Sequence, residues 1–527
     1  MSTNTIRFEG SEMNRKLLMG HPSGLFVLFF TEMWERFSYY GMRAILVLFL
    51  TSAITGDNPG WGWSREDALG LYGTYTMLVY FSPIIGGFLA DKFLGYRYAV
   101  AIGALIMTLG HAAMALDTPW SLYLGIGFLV AGNGLFKPNI TSIINGVYKN
   151  AQEKKDGAFT IFYMGVNAGA FVGILLCGYV GETSGWHYGF GLAGIFMFLG
   201  MLQFWFAQGI FGSIGLSPSK TIEYNDAIEN VEEKSSIVEE EVPAKVQRDR
   251  YIVVGVLAFF TVFFWAAFEQ AGGSMTIFAS DYTNRLLEGD AATLFRVGNT
   301  LLTVIPLAII TYVLYLLFKV TFDKYPLANV SLGISFVIIW ALVIYMLKEQ
   351  FSQESTEIPA SWFGILNSFF IIAFAPLFSK IWESKFNPSG PIKFAFGLIL
   401  LGLGFAVLAF GSNSIPQGAQ TASVSIIWLI LAYLLHTLGE LCLSPVGLSY
   451  VSKLVPGAKI GLMFGLWYIA IGMGNKAAGS MGGMIDSITA EYSMSYFFMI
   501  FTIVPIAAGL VLMLLNPVLK KLMHGVK

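Results

Sequence analysis

Long apolar segments recur along the whole chain, and short polar stretches separate them. A run of about 20 mostly apolar residues is long enough to cross a bilayer as an α-helix. The pattern predicts fourteen such helices, with approximate bounds 24–52, 67–90, 96–116, 119–146, 158–181, 187–213, 251–272, 297–318, 328–347, 358–383, 394–411, 423–452, 461–485 and 495–517. The predicted fold is therefore an all-α polytopic membrane protein.

Residues 214–250 interrupt this pattern. The stretch SIVEEEVPAK and its acidic neighbours are typical of a solvated linker. Because large transporters are commonly built from two repeated halves, we predict two six-helix bundles. The predicted parts are a first bundle at 1–213, a cytoplasmic linker at 214–250 and a second bundle at 251–527, with an inserted helix pair near 297–347.

Composition excludes an ordinary soluble protein. Of the 527 residues, 55% are hydrophobic and only 12% are charged, whereas soluble domains are about 25% charged. The formal net charge of −2 and the lack of a basic cluster give no indication of nucleic-acid binding. The two cysteines, Cys177 and Cys442, lie in apolar segments without metal-ligand spacing, so we expect them to be packing residues.

The basic residues predict the orientation. With the N-terminus inside, most lysines and arginines fall in inner loops, and the outer loops contain only Arg65, Arg285, Arg296 and Lys348. Positively charged loops stay on the cytoplasmic side. We therefore expect a multi-pass protein of the plasma (inner) membrane with both termini in the cytoplasm.

Several charged residues lie well inside the predicted spans. They are Glu32, Glu35, Arg36, Arg43, Lys137, Glu269 and Glu440. At roughly 3 kcal/mol each in lipid they would cost about 20 kcal/mol together, which exceeds the net stability of a typical protein. They must face one another or a wet cavity, as a structural ion network or as a pathway for solute and protons.

The first span concentrates its polar residues on one stripe. With about 100° between successive residues, Glu32, Arg36, Tyr39 and Arg43 lie within about 60° of one another, and Glu35 and Tyr40 flank them. A helix that faced lipid would not place two arginines at this depth. The stripe therefore predicts a wall of a charged cavity.

Depth along the spans suggests two ion pairs. Lys137 and Glu440 lie at similar depths in inward-running helices of opposite halves. Arg43 and Glu269 both lie in the outer halves of outward-running helices. Depth does not determine helix rotation, so both pairings are hypotheses.

The motifs around these residues resemble the proton-dependent oligopeptide transporter (POT/PTR) family of the major facilitator superfamily. The segment from Glu32 to Gly41 is similar to its ExxERFxYYG signature, and the segment from Gly87 to Arg97 is similar to the loop motif of the superfamily. The resemblance continues in order over nearly the whole chain, through the segments GNGLFKPN (132–139), FTIFYMGVNAG (159–169), FWAAFEQ (264–270), PASW (359–362) with Asn367, and GELCLSPVG (439–447). It implies the major facilitator fold with an extra transmembrane hairpin, about fourteen helices in all.

The resemblance also implies roles for individual residues. For substrate binding these are Arg36, Lys137 (peptide carboxylate), Glu440 (amino end), Asn167, Asn367 (polar contacts), Tyr39, Tyr40, Tyr75 and Trp467 (aromatic lining). Proton coupling would involve Glu32, Glu35, Arg36 and Lys137, and the outer gate would be Arg43 with Glu269. The histidine that animal members have on the second helix is replaced here by Ala68, so we expect carboxylates to couple protons.

These residues predict a proton-coupled symporter that imports di- and tripeptides by alternating access. Fixed charges for both ends of a zwitterion suit peptides of many sequences, and protonation of a carboxylate makes such a clamp switchable. One alternative is a transporter of nitrate or another small organic anion on the same scaffold, and the other is a peptide-sensing receptor without transport. We expect no enzyme activity, no metal, no cofactor besides the coupling proton, no binding of nucleic acid, and a monomeric protein.

Three further polar residues lie in spans. We expect His111 and His436 to be packed or hydrogen-bonded, and Lys476 to have a structural partner. The GNG segment around Asn133 is expected to serve close helix packing. The extra helix pair is expected to follow the seventh core helix.

Overall fold

A computed structural model describes residues 8–220, 243–455 and 457–526. Each of the fourteen predicted spans contains one long helix in this part of the chain. The first six are α1 (Ser23–Thr51), α2 (Arg65–Leu89), α3 (Tyr96–Met114), α4 (Pro119–Val147), α5 (Lys155–Thr183) and α6 (Trp186–Ala207). The others are α7 (Ala244–Phe268), α8 (Gly289–Thr321), α9 (Pro326–Ser352), α10 (Ile365–Glu383), α11 (Gly390–Gly411), α12 (Ile427–Leu454), α13 (Gly457–Gly483) and α14 (Met494–Leu522).

Twelve of the described helical segments are long and apolar enough to cross a membrane, which makes the chain a multi-pass membrane protein. Helices α1 and α13 are not among the twelve, although they have 29 and 27 residues. Four charged side chains lower the hydropathy of α1. That α1 and α13 also span the membrane, which gives fourteen spans, stays a prediction.

The bounds of the helices differ from the predicted ones mainly at polar ends. Helix α7 begins at Ala244 rather than near 251, because its first two turns contain Lys245, Arg248 and Arg250, which a hydropathy criterion excludes. It ends in a 3-10 turn at Glu269–Gly272. Most of the predicted linker, 221–242, lies outside the described residues.

Short elements connect the helices. Two antiparallel two-residue ribbons occur in the described chain, β1 (Leu17–Leu18) with β2 (His21–Pro22), and β3 (Leu286–Leu287) with β4 (Thr356–Glu357). Short helices at Ser274–Ile277 and Ile485–Glu491 precede the loops after α7 and α13. A π-helical turn, Ala90–Leu94, follows α2 and ends at Gly95, whose φ of 72° suits glycine.

The described residues fall into two compact units. Unit 1 takes the described parts of Met1–Ile45, Ser82–Glu232 and Leu286–Pro359, and unit 2 takes those of Leu46–Phe81, Glu233–Arg285 and Ala360–Lys527. Both units are discontinuous in sequence, since α1 and α2 each contribute residues to both. The division at 214–250 stays a prediction.

Aromatic packing forms the centre of unit 1. Trp34 of α1 stacks on Phe196 of α6 with 5.2 Å between ring centroids, and Phe37 lies 4.3 Å from the same ring. Phe336 of α9 contacts the Trp34 ring edge-on at 5.7 Å. Offset and edge-on aromatic pairs of this kind add to the stabilisation from burial. One face of the α8–α9 hairpin thus packs on the helices of unit 1.

The hairpin α8–α9 is closed at its base. Strands β3 and β4 pair there, and Arg296 at the start of α8 donates to the Thr356 hydroxyl at 2.7 Å and to the Gln353 carbonyl at 2.6 Å. Apolar residues such as Ile309 and Val337 remain exposed on the two helices. An exposed apolar face on a membrane helix faces lipid, so the hairpin is suited to lie at the periphery of unit 1.

Unit 2 contains a close helix contact between α2 and α13. A Cβ atom on Gly73 would lie 2.8 Å from the Cα atom of Gly479, so neither position has room for a larger residue. Small residues allow helix backbones to approach each other in membranes. The Lys476 ammonium donates across this contact to the Thr74 hydroxyl at 2.8 Å and to the Gly70 carbonyl at 3.4 Å.

Candidate functional site

The polar stripe of α1 forms a buried charged cluster in unit 1. The Arg36 Nε atom lies 3.1 Å from Glu32 Oε1 and also forms an ion pair with Glu35 Oε2. All three side chains are buried, and Glu35 is fully inaccessible. The i,i+4 spacing of Glu32 and Arg36 places them on one face of the helix, as the sequence predicts.

The ion pairs leave polar atoms of this cluster unused. Among the described residues, Arg36 Nη2 and Glu32 Oε2 are buried without a hydrogen-bond partner. A guanidinium has five N–H donors in a fixed fork, so two carboxylates at Nε do not exhaust it. Buried polar atoms without partners are costly, and a ligand oxygen would supply the missing partner of Arg36.

Two tyrosines continue the stripe. The guanidinium carbon of Arg36 lies 5.2 Å from the centroid of the Tyr39 ring, and that of Arg43 lies 5.8 Å from the rings of both Tyr39 and Tyr40. These distances are within the range of cation–π attraction. The two rings meet edge-on at 5.0 Å, so the arginines and phenols hold one another in place.

Helices α4 and α5 complete the surroundings in unit 1. Lys137 of α4 is close enough to interact electrostatically with Glu32, Glu35 and Arg36. Three cations, Arg36, Arg43 and Lys137, therefore accompany the two carboxylates. We call these five residues the arginine cluster.

Helix α5 packs directly against α1 beside the arginine cluster. A Cβ atom on Gly169 would lie 2.9 Å from that of Arg36, so the two backbones are close at this level. Asn167, two residues earlier, is buried, and its amide donates to the Tyr163 carbonyl of the same helix at 3.0 Å. Asn167 thus lies close to Arg36 along the helices, but this hydrogen bond of its amide is to its own helix and not to a residue of the arginine cluster.

Asn133 is a member of this site that sequence reasoning missed. Its amide Nδ2 donates to Glu35 Oε1 at 3.0 Å. The neighbouring glycines do serve helix packing, since a Cβ atom on Gly132 would lie 2.6 Å from the Gly103 carbonyl oxygen. The expectation of close packing was thus right for Gly132, whereas the side chain between the two glycines contacts a cluster residue.

Unit 2 contains a second polar site, on α10 and α12. The Asn367 amide donates to Glu440 Oε2 at 2.8 Å and to the Thr437 hydroxyl at 3.2 Å. Thr437 also donates to the Tyr433 carbonyl one turn earlier. We call Asn367, Thr437 and Glu440 the Glu440 site. The structure thus brings together Asn367 and Glu440, two of the residues predicted to bind the peptide.

Three more of the predicted site residues, Glu269, Tyr75 and Trp467, also belong to unit 2. The Tyr72 hydroxyl donates to Glu269 Oε2 at 3.2 Å, a contact that sequence reasoning did not identify. Tyr75 of α2 is buried, and Trp467 of α13 packs edge-on against Phe394 at 5.9 Å. Tyr72 lies one turn after Ala68 on α2.

Two predicted ion pairs join residues of different units. Lys137 and Arg43 belong to unit 1, whereas Glu440 and Glu269 belong to unit 2. Both pairings therefore stay predictions.

His111, His436 and Lys476, the other polar residues noted in the spans, pack against or bond to neighbouring residues. His111 is fully buried against Gly194 of α6. His436 is also buried, and its ring lies 4.4 Å from that of Phe405. Lys476 bonds to Thr74 and Gly70, as described above, which agrees with the structural partner expected for it.

An ion-pair network at the start of α2 was not anticipated. Arg65 donates to Asp281 Oδ2 and to Asp486 Oδ1, both at 2.6 Å, and to the Tyr282 hydroxyl at 3.0 Å. The arginine is mostly buried, whereas the two aspartates are about a third or more exposed. One side chain thus ties α2 to two separate segments of unit 2.

Replacing Arg65 with alanine is expected to lower the melting temperature of the detergent-solubilised protein by about 2–4 °C. Charge-assisted bonds from a partly exposed arginine contribute about 1–2 kcal/mol together, and in a large protein that corresponds to a few degrees. Arg65→Lys should lose less, because an ammonium keeps the charge but cannot bind both carboxylates in a fork. The difference should shrink in high salt, which screens exposed charges. Equal melting of Arg65→Ala and the wild type at low salt would contradict this account.

Comparison with known proteins agrees with this architecture. Residues 97–228 and 334–499 match the family model PTR2, described as the POT family. The peptide transporter YePEPT of Yersinia enterocolitica is 31% identical over 97% of this chain and 97% of its own length. The di-/tripeptide transporter of Lactococcus lactis subsp. cremoris is 30% identical over 97% of this chain and 98% of its own. A crystal structure of peptide transporter POT in complex with sulfate matches with a TM-score of 0.72 and 30% identity, over 97% of both chains.

The apolar helices, the buried charged residues and these relatives define a multi-pass α-helical membrane transporter. The chain belongs to the POT family.

Proposed function

We propose that this protein is a proton-coupled symporter that imports di- and tripeptides by alternating access. The observation that supports it best is the buried Nη2 atom of Arg36, which has no hydrogen-bond partner in the described part of the chain. A peptide carboxylate would supply two oxygens to this fork, a geometry that arginine recognises well. The arginine cluster has one cation more than it has carboxylates, and an incoming carboxylate would neutralise that excess.

The Glu440 site supplies the complementary chemistry for the other end of the peptide. Glu440 has a carboxylate that the Asn367 amide holds in place, and no cation is bonded to it in the described residues. An ammonium group needs such an acceptor when it leaves water. A positive cluster suits the carboxylate end of a zwitterion and a carboxylate site suits its ammonium end, and every peptide has these two ends whatever its side chains.

Proton coupling would use Glu32 and Glu35. Both bind the same guanidinium, so protonation of either breaks one of its two ion pairs and makes Arg36 more available to a substrate carboxylate. An inward-moving proton contributes about 2.3 kcal/mol for each 100 mV of membrane potential. The peptide would thus be accumulated without chemical change, and the proton would be the only co-transported species that the cycle needs.

The relatives support this choice of cargo. Two of them have names that specify peptides as their substrates. We propose the plasma (inner) membrane as the location, with both termini in the cytoplasm, a monomeric state, and transport rather than catalysis. The excess of basic residues in the loops on the proposed inner side supports this orientation.

Uptake into proteoliposomes tests the proposal. A labelled dipeptide should accumulate when an inward proton gradient is imposed and should only equilibrate without it. The cationic excess in the arginine cluster also suits nitrate or another small organic anion, so an excess of nitrate is added as competitor. Inhibition by unlabelled dipeptide but not by nitrate would support peptide transport, whereas uptake of labelled nitrate without uptake of the dipeptide would support the anion carrier. A peptide-sensing receptor would bind the dipeptide without equilibrating label.

A further inference from the structure

Asn133 combines two features that helix packing does not explain. It lies between two glycines of α4, is only 1% exposed, and donates through Nδ2 to Glu35. Its other polar atom, Oδ1, is also buried and has no hydrogen-bond partner among the described residues. An asparagine amide has two donor hydrogens and an oxygen that accepts, and here the oxygen is unused in a buried place where an unused polar atom is costly.

The hydrogen bond from Asn133 to Glu35 suits the ionised state of Glu35. An ionised Glu35 is an acceptor only, and it accepts here from Asn133 Nδ2 and from Arg36 Nε. Once protonated, the carboxyl group becomes a donor and needs an acceptor. A half-turn of the amide about its terminal torsion exchanges Nδ2 for Oδ1 in nearly the same volume, and such sp3–sp2 torsions are broad and close to two-fold.

We propose that Asn133 is a positioning residue that matches both protonation states of Glu35. With Glu35 ionised, the amide presents its N–H group and the carboxylate holds Arg36. When a proton from the outer solution binds Glu35, the amide turns, Oδ1 accepts the new O–H group, and Arg36 loses its ion pair with Glu35 while it keeps the one with Glu32. The proton later leaves this oxygen for water on the inner side, so the O–H bond is the one covalent bond that forms and breaks.

The charged groups around Glu35 are consistent with this role. On α1 they are Glu32 and Arg36, and on α4 the nearest is Lys137, one turn after Asn133. The packing partner from α6 at this level, Met197, is uncharged and accepts from Ser38. Asn133 is therefore the neutral partner of Glu35 in the described residues, and an amide can exchange donor for acceptor without changing charge.

The inference rests on the proposed function, and its test separates the two. Dipeptide counterflow is measured at equal pH on both sides of proteoliposomes, over a range of pH, together with gradient-driven accumulation. Asn133→Leu removes both polar atoms, and Asn133→Asp removes the donor while adding a carboxylate. We expect both variants to exchange label yet to lose most gradient-driven accumulation. A hydrogen bond to an ionised carboxylate is about twice as strong as one to a neutral carboxyl group, so Asn133→Leu costs the ionised form of Glu35 more than the protonated form. The pH midpoint of exchange should therefore rise by up to about one unit in Asn133→Leu. It should rise further in Asn133→Asp, whose carboxylate repels an ionised Glu35.

Asn139 provides a matched control on the same helix. It is equally buried, and among the described residues its amide donates only to the backbone carbonyls of Leu135 and Gly86. Asn139→Leu should leave the pH midpoint unchanged. In a Glu35→Gln background, Asn133→Leu should produce no further shift, because the residue acts through Glu35.

The outcomes are distinguishable. If the wild type shows no gradient-driven accumulation, the proposed function itself is wrong. If the wild type accumulates peptide and the monodisperse Asn133 variants keep its pH midpoint and its accumulation, the positioning role is wrong. Should Asn133→Leu not yield folded protein, Asn133→Asp, which has the same shape as asparagine, gives the deciding measurement.

Discussion

Proteoliposomes containing Glu32→Gln or Glu35→Gln will fail to accumulate a dipeptide against its gradient, while still exchanging labelled for unlabelled peptide. Both carboxylates bind the single Nε atom of Arg36, so at each of them a proton competes with the guanidinium for the carboxylate. Glutamine keeps the size and one acceptor oxygen but cannot ionise, and its site is fixed in a state resembling the protonated one. Substrate can then bind and cross, but the proton gradient no longer contributes to the cycle.

The expected loss is large because gradient coupling is all that concentrates the cargo. At a potential of 100 mV, one proton is worth about 2.3 kcal/mol, or roughly fifty-fold accumulation, and the variants should fall to about one-fold. The exposed Glu66, in the first turn of α2, gives a control of the same chemistry outside the cluster, and Glu66→Gln should accumulate normally. Full accumulation by both cluster variants would show that protons enter elsewhere.

The arrangement of α1 could be predicted because one helix fixes the angles between its own residues. Periodicity alone placed Glu32, Arg36 and Tyr39 on a single stripe, and the structure has their side chains in contact. The helices themselves were predictable for a similar reason, since each contains an apolar run long enough to cross a bilayer. These are local properties of the sequence.

Contacts between helices could not be predicted in the same way. Asn133 meets Glu35, Tyr72 meets Glu269 and Arg65 meets Asp281, and each contact depends on the rotation of two helices that are far apart in the sequence. Hydropathy does not determine that rotation. For Asn133 a signal did exist, because a buried amide in a membrane helix needs a polar partner and Lys137 lies one turn away.

The hydropathy pattern also could not predict which helices the α8–α9 hairpin packs against. Its place in the chain, between α7 and α10, follows from the order of apolar runs. Its grouping with unit 1, through Phe336 against Trp34, depends on ring contacts between distant segments. An apolar residue on an apolar helix gives no indication of which neighbour it will contact.

Lys137→Ala and Glu440→Gln should each weaken recognition of one particular end of the peptide. Lys137 is part of the arginine cluster with its excess of positive charge, and Glu440 is held by the Asn367 amide. If Lys137 binds the C-terminal carboxylate, its removal costs affinity only for ligands that have that group. If Glu440 binds the amino end, glutamine costs affinity only for ligands with a free ammonium.

Dissociation constants of a dipeptide, its C-terminal amide and its N-acetyl form decide the question for both variants. Loss of one partner from a buried, hydrogen-bonded charge pair costs 2–5 kcal/mol or more. Lys137→Ala should therefore weaken binding of the dipeptide and the N-acetyl form by about 30-fold or more and binding of the amide far less. Glu440→Gln should weaken the dipeptide and the amide, and should spare the N-acetyl form.

Lys476→Met is the control for the removal of a cation from a helix. Its ammonium bonds to Thr74 and to the Gly70 carbonyl, within the contact between α2 and α13, so all three ligands should keep their relative affinities in that variant. A ligand can drive a conformational change only through contacts that differ between states. End-specific losses at Lys137 and Glu440 would identify those contacts as the peptide termini. Equal losses across the three ligands would instead show that the two residues shape the site without binding the ends of the peptide.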